Sequence, residues 1–308
     1  MVSTRLTLSQ FLSIVELRTK LISLGTFAAG TLYAVAATGV FSPRLTLLMF
    51  LAVLLVDMGT TAFNNFFDFL RGTDVTDFNV EENKVLVHQR VAPGWALVVA
   101  LGCFLLAGGL GIWIAVLRGW WIVPVGAFSM LVGYFYTGGP RPLSTTPVGE
   151  LFAGGFLGMV LFLLSAAVQT PPGANLLSPR VLLAGLPQFL TVAAILAVNN
   201  SCDRQGDAEA GRRTFAVLFG TAAGEALIYL SVAGAQIALA LLIVFGPLPS
   251  LAWAFVGLST LYAAWSLGRM RRRGYHFRSK GPNMIAILKL YGVQTGMYLA
   301  GLLAAVLS

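Results

Sequence analysis

Two short polar segments, far apart along the chain, carry residue types that bind divalent cations. The first contains Asn64 and Asp68, and the second contains Asn199, Asp203 and Asp207. In each segment the amide and the first carboxylate are four residues apart, so on a helix they lie on one face. Mg²⁺ prefers such oxygens and typically binds one or two carboxylates together with substrate phosphate oxygens. The spacing therefore favours two acidic clusters that hold Mg²⁺ and, through it, a diphosphate.

A second interpretation of these segments is that they are polar helix caps on solvated loops. Either segment alone fits that interpretation. Both segments, however, follow long apolar runs, share the same spacing and are predicted to lie on the same face of a membrane. Acidic residues at membrane depth are costly and usually functional, and two bare carboxylate clusters would repel each other. We therefore favour the diphosphate site.

Cationic and aromatic residues are interleaved with the two segments. Those predicted to contact the diphosphate are Tyr134, Tyr136, Lys84, Arg141 and Arg212. Cations next to Mg²⁺ can neutralise a diphosphate leaving group. Each cation alone is equally well explained as a charge that sets membrane topology. Arg141, in a turn rich in Gly and Pro, has the best position of the set.

The composition identifies the class of protein that must position these groups. Of 308 residues, 57% are apolar and only 10% are charged, whereas soluble proteins carry about 25% charged residues. The apolar content excludes disorder, two cysteines exclude a disulfide scaffold, and the basic excess does not form a solvated face for nucleic acid. A polytopic membrane protein remains. Because barrel-like alternation is absent, the fold class is all-α.

Long apolar runs predict nine transmembrane helices, each needing about 20 mostly apolar residues. Gly246–Pro249 divides the longest charge-free run into two helices. The nine helices are expected near residues 21–40, 45–68, 95–117, 119–138, 150–168, 181–201, 222–245, 250–268 and 287–307. We expect one membrane domain over residues 1–308. In it, residues 1–20 lie in the interface, and residues 69–93 and 202–221 form cytoplasmic active-site loops that cap the bundle.

Basic residues are distributed unevenly between the two sides of this topology. All 20 Lys and Arg residues except Arg44, Arg118 and Arg180 fall on the side of the N-terminus. By the positive-inside rule that side is cytoplasmic. We expect an integral protein of the cell (inner or plasma) membrane, with its N-terminus and active-site loops in the cytoplasm.

Asp57 is the one acidic residue predicted to lie inside a span and away from the cytoplasmic loops. It precedes Asn64 by about two helical turns, on nearly the same face. As a functional group it would be a base or an orienting acceptor for a substrate hydroxyl. As a structural group it would pair with a Ser, Thr or Tyr of a neighbouring helix. Ionisable residues inside spans are functional by default but can also pair with a neighbour, so both interpretations stay open.

At these motifs the chain resembles the UbiA-type intramembrane prenyltransferases. It is most similar to the branch that prenylates 1,4-dihydroxy-2-naphthoate in menaquinone synthesis. The matching positions are Asn64, Asp68, Gly72, Asp74 and Asp77 in the first motif, Asn199, Asn200, Asp203 and Asp207 in the second, and the segments Tyr136–Pro140 and Gly149–Leu151. Two positions depart from the pattern: Asn65 stands where the family usually has Asp, and Cys202 where the branch usually has Arg.

The resemblance implies Mg²⁺-dependent transfer of a polyprenyl group from polyprenyl diphosphate to 1,4-dihydroxy-2-naphthoate. Diphosphate and CO₂ would leave, giving demethylmenaquinone. The implied metal ligands are Asn64, Asp68, Asp74, Asn199, Asp203 and Asp207. The implied diphosphate-binding residues are Asn64, Asn200, Lys84, Tyr134, Arg141 and Arg212. The catalytic candidates are Asp57, Asp68, Tyr136, Arg141 and Asp203.

Two alternatives to this function stay open. The first keeps the family but changes the acceptor to homogentisate, 4-hydroxybenzoate, a glycerol-phosphate lipid or haem. The second is an ion or solute transporter that uses the acidic clusters as a pathway. Transporters place their sites near the bilayer midplane on broken helices, whereas only Asp57 is predicted to lie that deep, which argues against transport.

Overall fold

The computed structural model describes residues 6–71, 91–171, 175 and 177–308. Regular structure in these ranges is helical, which confirms the all-α prediction. The helices are α1 (Leu8–Ile14), α2 (Leu21–Thr38), α3 (Pro43–Leu70), α4 (Pro93–Arg118), α5 (Ile122–Thr137), α6 (Gly149–Gln169), α7 (Pro179–Glu209), α8 (Phe215–Phe245), α9 (Ala252–Arg273) and α10 (Lys280–Leu307). Short 3₁₀ turns, among them Leu17–Lys20 and Phe277–Ser279, complete the described part.

Helices α2–α10 lie where the nine spans are predicted, but the count of nine membrane crossings is not confirmed. Within the described residues, seven helices are long and apolar enough to cross a bilayer. Helix α5 has only 16 residues. Helix α9 is not among the seven, and its last turns carry four arginines, Arg269 and Arg271–Arg273. Whether α5 and α9 span the bilayer stays a prediction.

The chain divides into two compact units, and the first comprises Met1–Leu24 and Leu47–Leu143. Its N-terminal helix α1 begins with a capping box, in which Thr7 and Gln10 exchange side-chain to backbone hydrogen bonds. Ile14 at the end of α1 is fully buried in a core that includes Phe63 of α3 and Ala96 of α4. The N-terminal segment is therefore helical over Leu8–Ile14, while its placement in a membrane interface stays a prediction.

The second unit comprises Gly25–Thr46 and Ser144–Ser308. Amide side chains join its helices at buried positions. The Gln236 side chain donates to Gln294 Oε1 at 2.8 Å, and the Gln294 side chain donates to Thr191 Oγ1 at 2.5 Å. Polar groups inside a bilayer need such partners because lipid supplies none. These bonds fix the neighbours of α7, the helix that carries the second polar motif.

Helix α6 contains a π-helical stretch, Gly154–Val160, and lies very close to α7. A Cβ atom on Gly158 would lie 2.6 Å from Cα of Phe189, and a Cβ atom on Gly154 would lie 2.5 Å from the carbonyl oxygen of Phe189. Side chains larger than hydrogen at these two positions would push the helices apart. The glycines therefore fix the distance between the start of α6 and helix α7, while a π-helical stretch often accompanies a functional site.

Candidate active site

The described part of the first motif lies in the last turns of α3, where Asn64 and Asp68 are both partly buried. Gly72 and Asp77 lie outside the described residues. Thr137, the last residue of α5, donates from Oγ1 to Oδ1 of Asn64 at 2.6 Å. The Arg71 guanidinium donates to the carbonyl oxygens of Thr137 and Gly139, the latter at 2.6 Å. These three bonds tie the motif end of α3 to the end of α5.

Asn65, the departure from the family pattern, has a structural explanation. Its side chain is buried, and Nδ2 donates to the carbonyl oxygen of Ile14 at 2.8 Å and to Glu16 Oε1 at 3.4 Å. An ionised Asp has no proton to donate, so it would repel both oxygens. Asn65 therefore attaches α3 to the N-terminal segment, and the first motif has one carboxylate fewer than the usual pattern.

The other predicted site residues of the first unit have different surroundings. The Tyr134 ring packs edge-on against Phe63 and Phe67 of α3, with centroids 5.2 and 5.5 Å away, which gives it a packing role besides the predicted one. Tyr136 is partly buried near the end of α5, and Arg141 is exposed in the turn that follows. Asp74 and Lys84 lie outside the described residues.

Asp57 is engaged in a largely buried ion pair with Lys20. The Lys20 ammonium lies 2.7 Å from Asp57 Oδ1, and the two side chains are 2% and 16% exposed. Lys20 also donates to Thr61 Oγ1 at 2.6 Å, and Ser23 donates to Asp57 Oδ2 at 2.5 Å. Pairing with a serine matches the structural interpretation of Asp57, and the lysine is an additional partner that the sequence did not indicate.

The second motif occupies the last turns of α7, in the second unit. Asp203 and Asp207 are each paired with a cation: Asp203 Oδ2 lies 2.8 Å from Lys280 Nζ, and Asp207 Oδ1 lies 3.0 Å from Arg212 Nη1. Thr214 also donates to Asp207, at 3.5 Å. Arg212 is thus a partner of a predicted metal ligand, and the two carboxylates do not form a bare acidic cluster.

The loop after α7 is attached to the segment that precedes α6. Arg212 Nη2 donates to the carbonyl oxygen of Ser144 at 3.1 Å. The backbone N–H of Arg213 donates to the carbonyl oxygen of Thr145 at 2.9 Å. Gly211, at φ 72°, makes the turn that brings the arginines there. The loop is therefore held by backbone as well as side-chain contacts.

Two residues that the sequence did not place in the site contact the second motif directly. Lys280, the first residue of α10, pairs with Asp203, although the sequence marked it only as a topology charge. Glu150, in the first turn of α6, accepts a hydrogen bond from Asn200 Nδ2 at 2.9 Å. Both contacts join segments far apart in sequence, so no periodicity could have indicated them. The sequence signals for Glu150 are an acid at the start of a span and its place in Gly149–Leu151, a segment that resembles the family branch.

The oxygen atoms of the two motifs are of the types that Mg²⁺ prefers as ligands. Each motif offers one or two carboxylates with amide oxygens beside them, and Mg²⁺ takes few protein oxygens because water and substrate phosphates complete its octahedron. No group of three or more His, Cys, Asp or Glu residues that could hold a metal by itself occurs in the described part of the chain. A site of this composition depends on a phosphate-bearing substrate to complete it.

Comparisons with known proteins agree with these features. The sequence profile of the UbiA prenyltransferase family matches residues 23–305. The chain is 34% identical over 220 residues to a 1,4-dihydroxy-2-naphthoate octaprenyltransferase of Bacillus subtilis (strain 168), covering 70% of this chain and 68% of that protein. It is 30% identical over 211 residues to the enzyme of the same name from Mycobacterium tuberculosis (strain ATCC 25618 / H37Rv), covering 67% of both.

The fold is also similar to that of a solved structure. A UbiA homologue from Archaeoglobus fulgidus bound to DMAPP and Mg²⁺ superposes with a TM-score of 0.70 at 18% identity, covering 96% of this chain and 99% of that one. At this identity the likeness establishes the fold.

Proposed function

Because the chain belongs to the UbiA prenyltransferase family, it is a membrane-embedded prenyltransferase, and we propose that its acceptor is 1,4-dihydroxy-2-naphthoate and its donor a polyprenyl diphosphate. The observation that carries this proposal is the similarity to two 1,4-dihydroxy-2-naphthoate octaprenyltransferases over at least two thirds of each chain. The paired Asn and Asp residues of the two motifs support it chemically.

Residues of both motifs would bind one Mg²⁺-diphosphate group. Asp68 and Asp74 of the first motif, and Asp203 and Asp207 of the second, would supply charged ligands. Asn64, Asn199 and Asn200 would supply neutral oxygens. When bound, Mg²⁺ would neutralise charge that develops on the diphosphate as the C–O bond breaks.

The protein's own contacts prepare these groups for binding. The Thr137 hydroxyl holds the Asn64 side chain, so less side-chain entropy is lost when a ligand binds. Lys280 and Arg212 hold the Asp203 and Asp207 carboxylates and place positive charge beside the proposed leaving group. Tyr136, Arg141 and Lys84 would donate further hydrogen bonds to diphosphate oxygens.

The acceptor ring would then attack the allylic carbon. A dihydroxynaphthoate is electron-rich, so the ring carbon that bears the carboxylate can form the new C–C bond while diphosphate leaves with the C–O electron pair. Loss of CO₂ from that carbon returns its bonding electrons to the ring and restores aromaticity. The product is the quinol form of demethylmenaquinone. Because a polyprenyl tail has a large apolar surface, the donor would enter from the bilayer. Water must stay outside the site, since it would trap the allylic cation.

We place the site at the cytoplasmic face of the cell membrane. The basic residues at the end of α9, including the exposed Arg271 and Arg272, support this orientation through the positive-inside rule. A site at that face would receive a soluble aromatic acid from the cytoplasm and an isoprenoid chain from the lipid.

The identity of the acceptor can be tested with purified full-length protein, Mg²⁺ and a labelled polyprenyl diphosphate. Product masses are measured for dihydroxynaphthoate, homogentisate, 4-hydroxybenzoate, a glycerol-phosphate lipid and haem. We expect dihydroxynaphthoate to give a product whose mass is that of the prenylated acceptor less one CO₂. We expect no product after chelation of Mg²⁺. Turnover of another acceptor alone would replace the proposed acceptor within the family.

A further inference from the structure

Glu150 and Asn200 form a buried contact inside the second unit. Glu150 lies in the first turn of α6 and is 4% exposed, and Asn200 lies in α7 and is 1% exposed. Asn200 Nδ2 donates to Glu150 Oε1 at 2.9 Å. Asn200 belongs to the second motif, directly after Asn199 and three residues before Asp203, so this contact fixes a side chain of the proposed metal and diphosphate site.

The chemistry of the pair determines which atom of Asn200 remains available. In the observed contact Glu150 Oε1 is the acceptor, so Asn200 turns its NH₂ group toward Glu150. The carbonyl oxygen Oδ1 then lies on the opposite side of the amide. A cation or a metal-bound group can use Oδ1, whereas an amide turned the other way would present two donor hydrogens to it.

Glu150 is held firmly enough to impose this orientation. The segment before it is bonded through Ser144 and Thr145 to the loop after α7. Beyond it, Gly158 brings α6 into backbone contact with Phe189. Contacts before and after Glu150 in the sequence therefore hold it against Asn200.

The second oxygen of Glu150 makes packing stability a poor explanation for this residue. Oε2 is buried and has no hydrogen-bond partner among the described residues, and a buried polar atom left unpaired destabilises the fold. An apolar side chain of the same length would fill the space without that penalty. The orienting bond that Oε1 makes to Asn200 explains a carboxylate at this position better than packing does.

We propose that Glu150 is a positioning residue that orients the Asn200 amide so that its oxygen faces the metal-diphosphate group. This inference rests on the proposed function, because it requires the second motif to bind that group. Residues that orient metal ligands typically change metal affinity by about 10–100-fold when they are removed. The same range is expected here if Asn200 contributes its oxygen.

The test compares Glu150→Met, Glu150→Gln, Asn200→Ala and the double variant Glu150→Met/Asn200→Ala as purified full-length proteins. Glu150→Met keeps the side-chain length but removes the acceptor, and Glu150→Gln keeps a carbonyl oxygen that can accept the same bond. The readouts are the dissociation constant of Mn²⁺ in the presence of dimethylallyl diphosphate, measured by electron paramagnetic resonance of free Mn²⁺, and the melting temperature.

We expect Glu150→Met to weaken Mn²⁺ binding by about tenfold or more without a matching fall in melting temperature. Glu150→Gln should restore most of the affinity. The double variant should bind no more weakly than Asn200→Ala, because the two residues act through one oxygen. If Glu150→Met does not fold, Glu150→Ala takes its place.

Unchanged Mn²⁺ affinity in the Glu150 variants, with weakened binding in Asn200→Ala, would overturn this inference but leave the proposed function standing. Effects of Glu150→Met and Asn200→Ala that add in the double variant would also overturn it. If Asn200→Ala and Asp203→Ala both bind Mn²⁺ normally, the second motif does not hold the metal, and the proposed site itself fails together with this inference.

Discussion

Replacing Asp203 with alanine is expected to lower prenyl transfer by about 10³-fold or more, because it removes a carboxylate ligand of the proposed Mg²⁺. Each factor of ten in rate corresponds to about 1.4 kcal/mol of transition-state stabilisation, and loss of one metal ligand accounts for about three such factors. The measurement is turnover of labelled prenyl diphosphate by purified protein, with size-exclusion chromatography to establish that the variant is folded.

Two controls separate metal binding from other effects of this substitution. Glu209→Ala removes an exposed carboxylate at the end of the same helix, paired with Gln205, and should leave turnover unchanged. Asp203→Ala also leaves Lys280 without its carboxylate partner. The double variant Asp203→Ala/Lys280→Met removes that unpaired charge and should stay inactive. Near-normal turnover in both Asp203→Ala and Asp68→Ala would refute the metal site.

Replacing Asp57 with alanine is expected to destabilise the protein by about 3–5 kcal/mol, because it leaves the buried Lys20 ammonium without a counter-charge. Thr61 and the Asp57 carbonyl oxygen still accept hydrogen bonds from Lys20, but neither carries charge. Thermal unfolding in detergent measures the loss. The double variant Lys20→Met/Asp57→Leu removes both charges with similar volume, so most of the stability should return.

The same double variant decides between the two interpretations of Asp57. If Asp57 serves only to pair with Lys20 and Ser23, the folded double variant should turn over substrate within about threefold of the wild-type rate. A folded double variant without activity would instead assign Asp57 a role in proton transfer or acceptor binding.

The helical fold and the two polar motifs could be predicted from sequence because local patterns determine them. Apolar runs in a chain with 10% charged residues must be membrane helices, and the four-residue spacing of Asn64 and Asp68 places them on one helix face. Helices α2–α10 begin and end within several residues of the predicted spans. The largest differences are at the end of α7 and at the starts of α8 and α10, where the helices extend seven or eight residues beyond the predicted spans.

The partners of the motif residues could not be predicted because they depend on how helices pack. Lys280 is 77 residues from Asp203 in sequence, and only the placement of α10 beside the end of α7 brings their charges together. Likewise, the close approach of α6 to α7 at Gly158 positions Glu150. The types of these side chains do not indicate which helices pack together or at which residues they meet.

The Lys20–Asp57 pair shows a different limit of sequence reasoning. The apolar run around Asp57 identifies it as an ionisable residue inside a span, and the structural partner predicted from sequence is a Ser, Thr or Tyr of a neighbouring helix. Lys20 lies at the end of a 3₁₀ turn before α2, where sequence alone suggested a topology charge. Its burial depends on the docking of the N-terminal segment, to which Asn65 also contributes.

We propose that the two motifs bind one diphosphate through Mg²⁺. The most direct test is a crystal structure of the full-length protein with Mn²⁺ and an unreactive thiolo analogue of dimethylallyl diphosphate, in which anomalous scattering locates each manganese. We predict manganese within about 2.3 Å of carboxylate oxygens of Asp68 and of Asp203, with one diphosphate bound to the metal at both motifs. Manganese and diphosphate bound at only one motif would contradict the account.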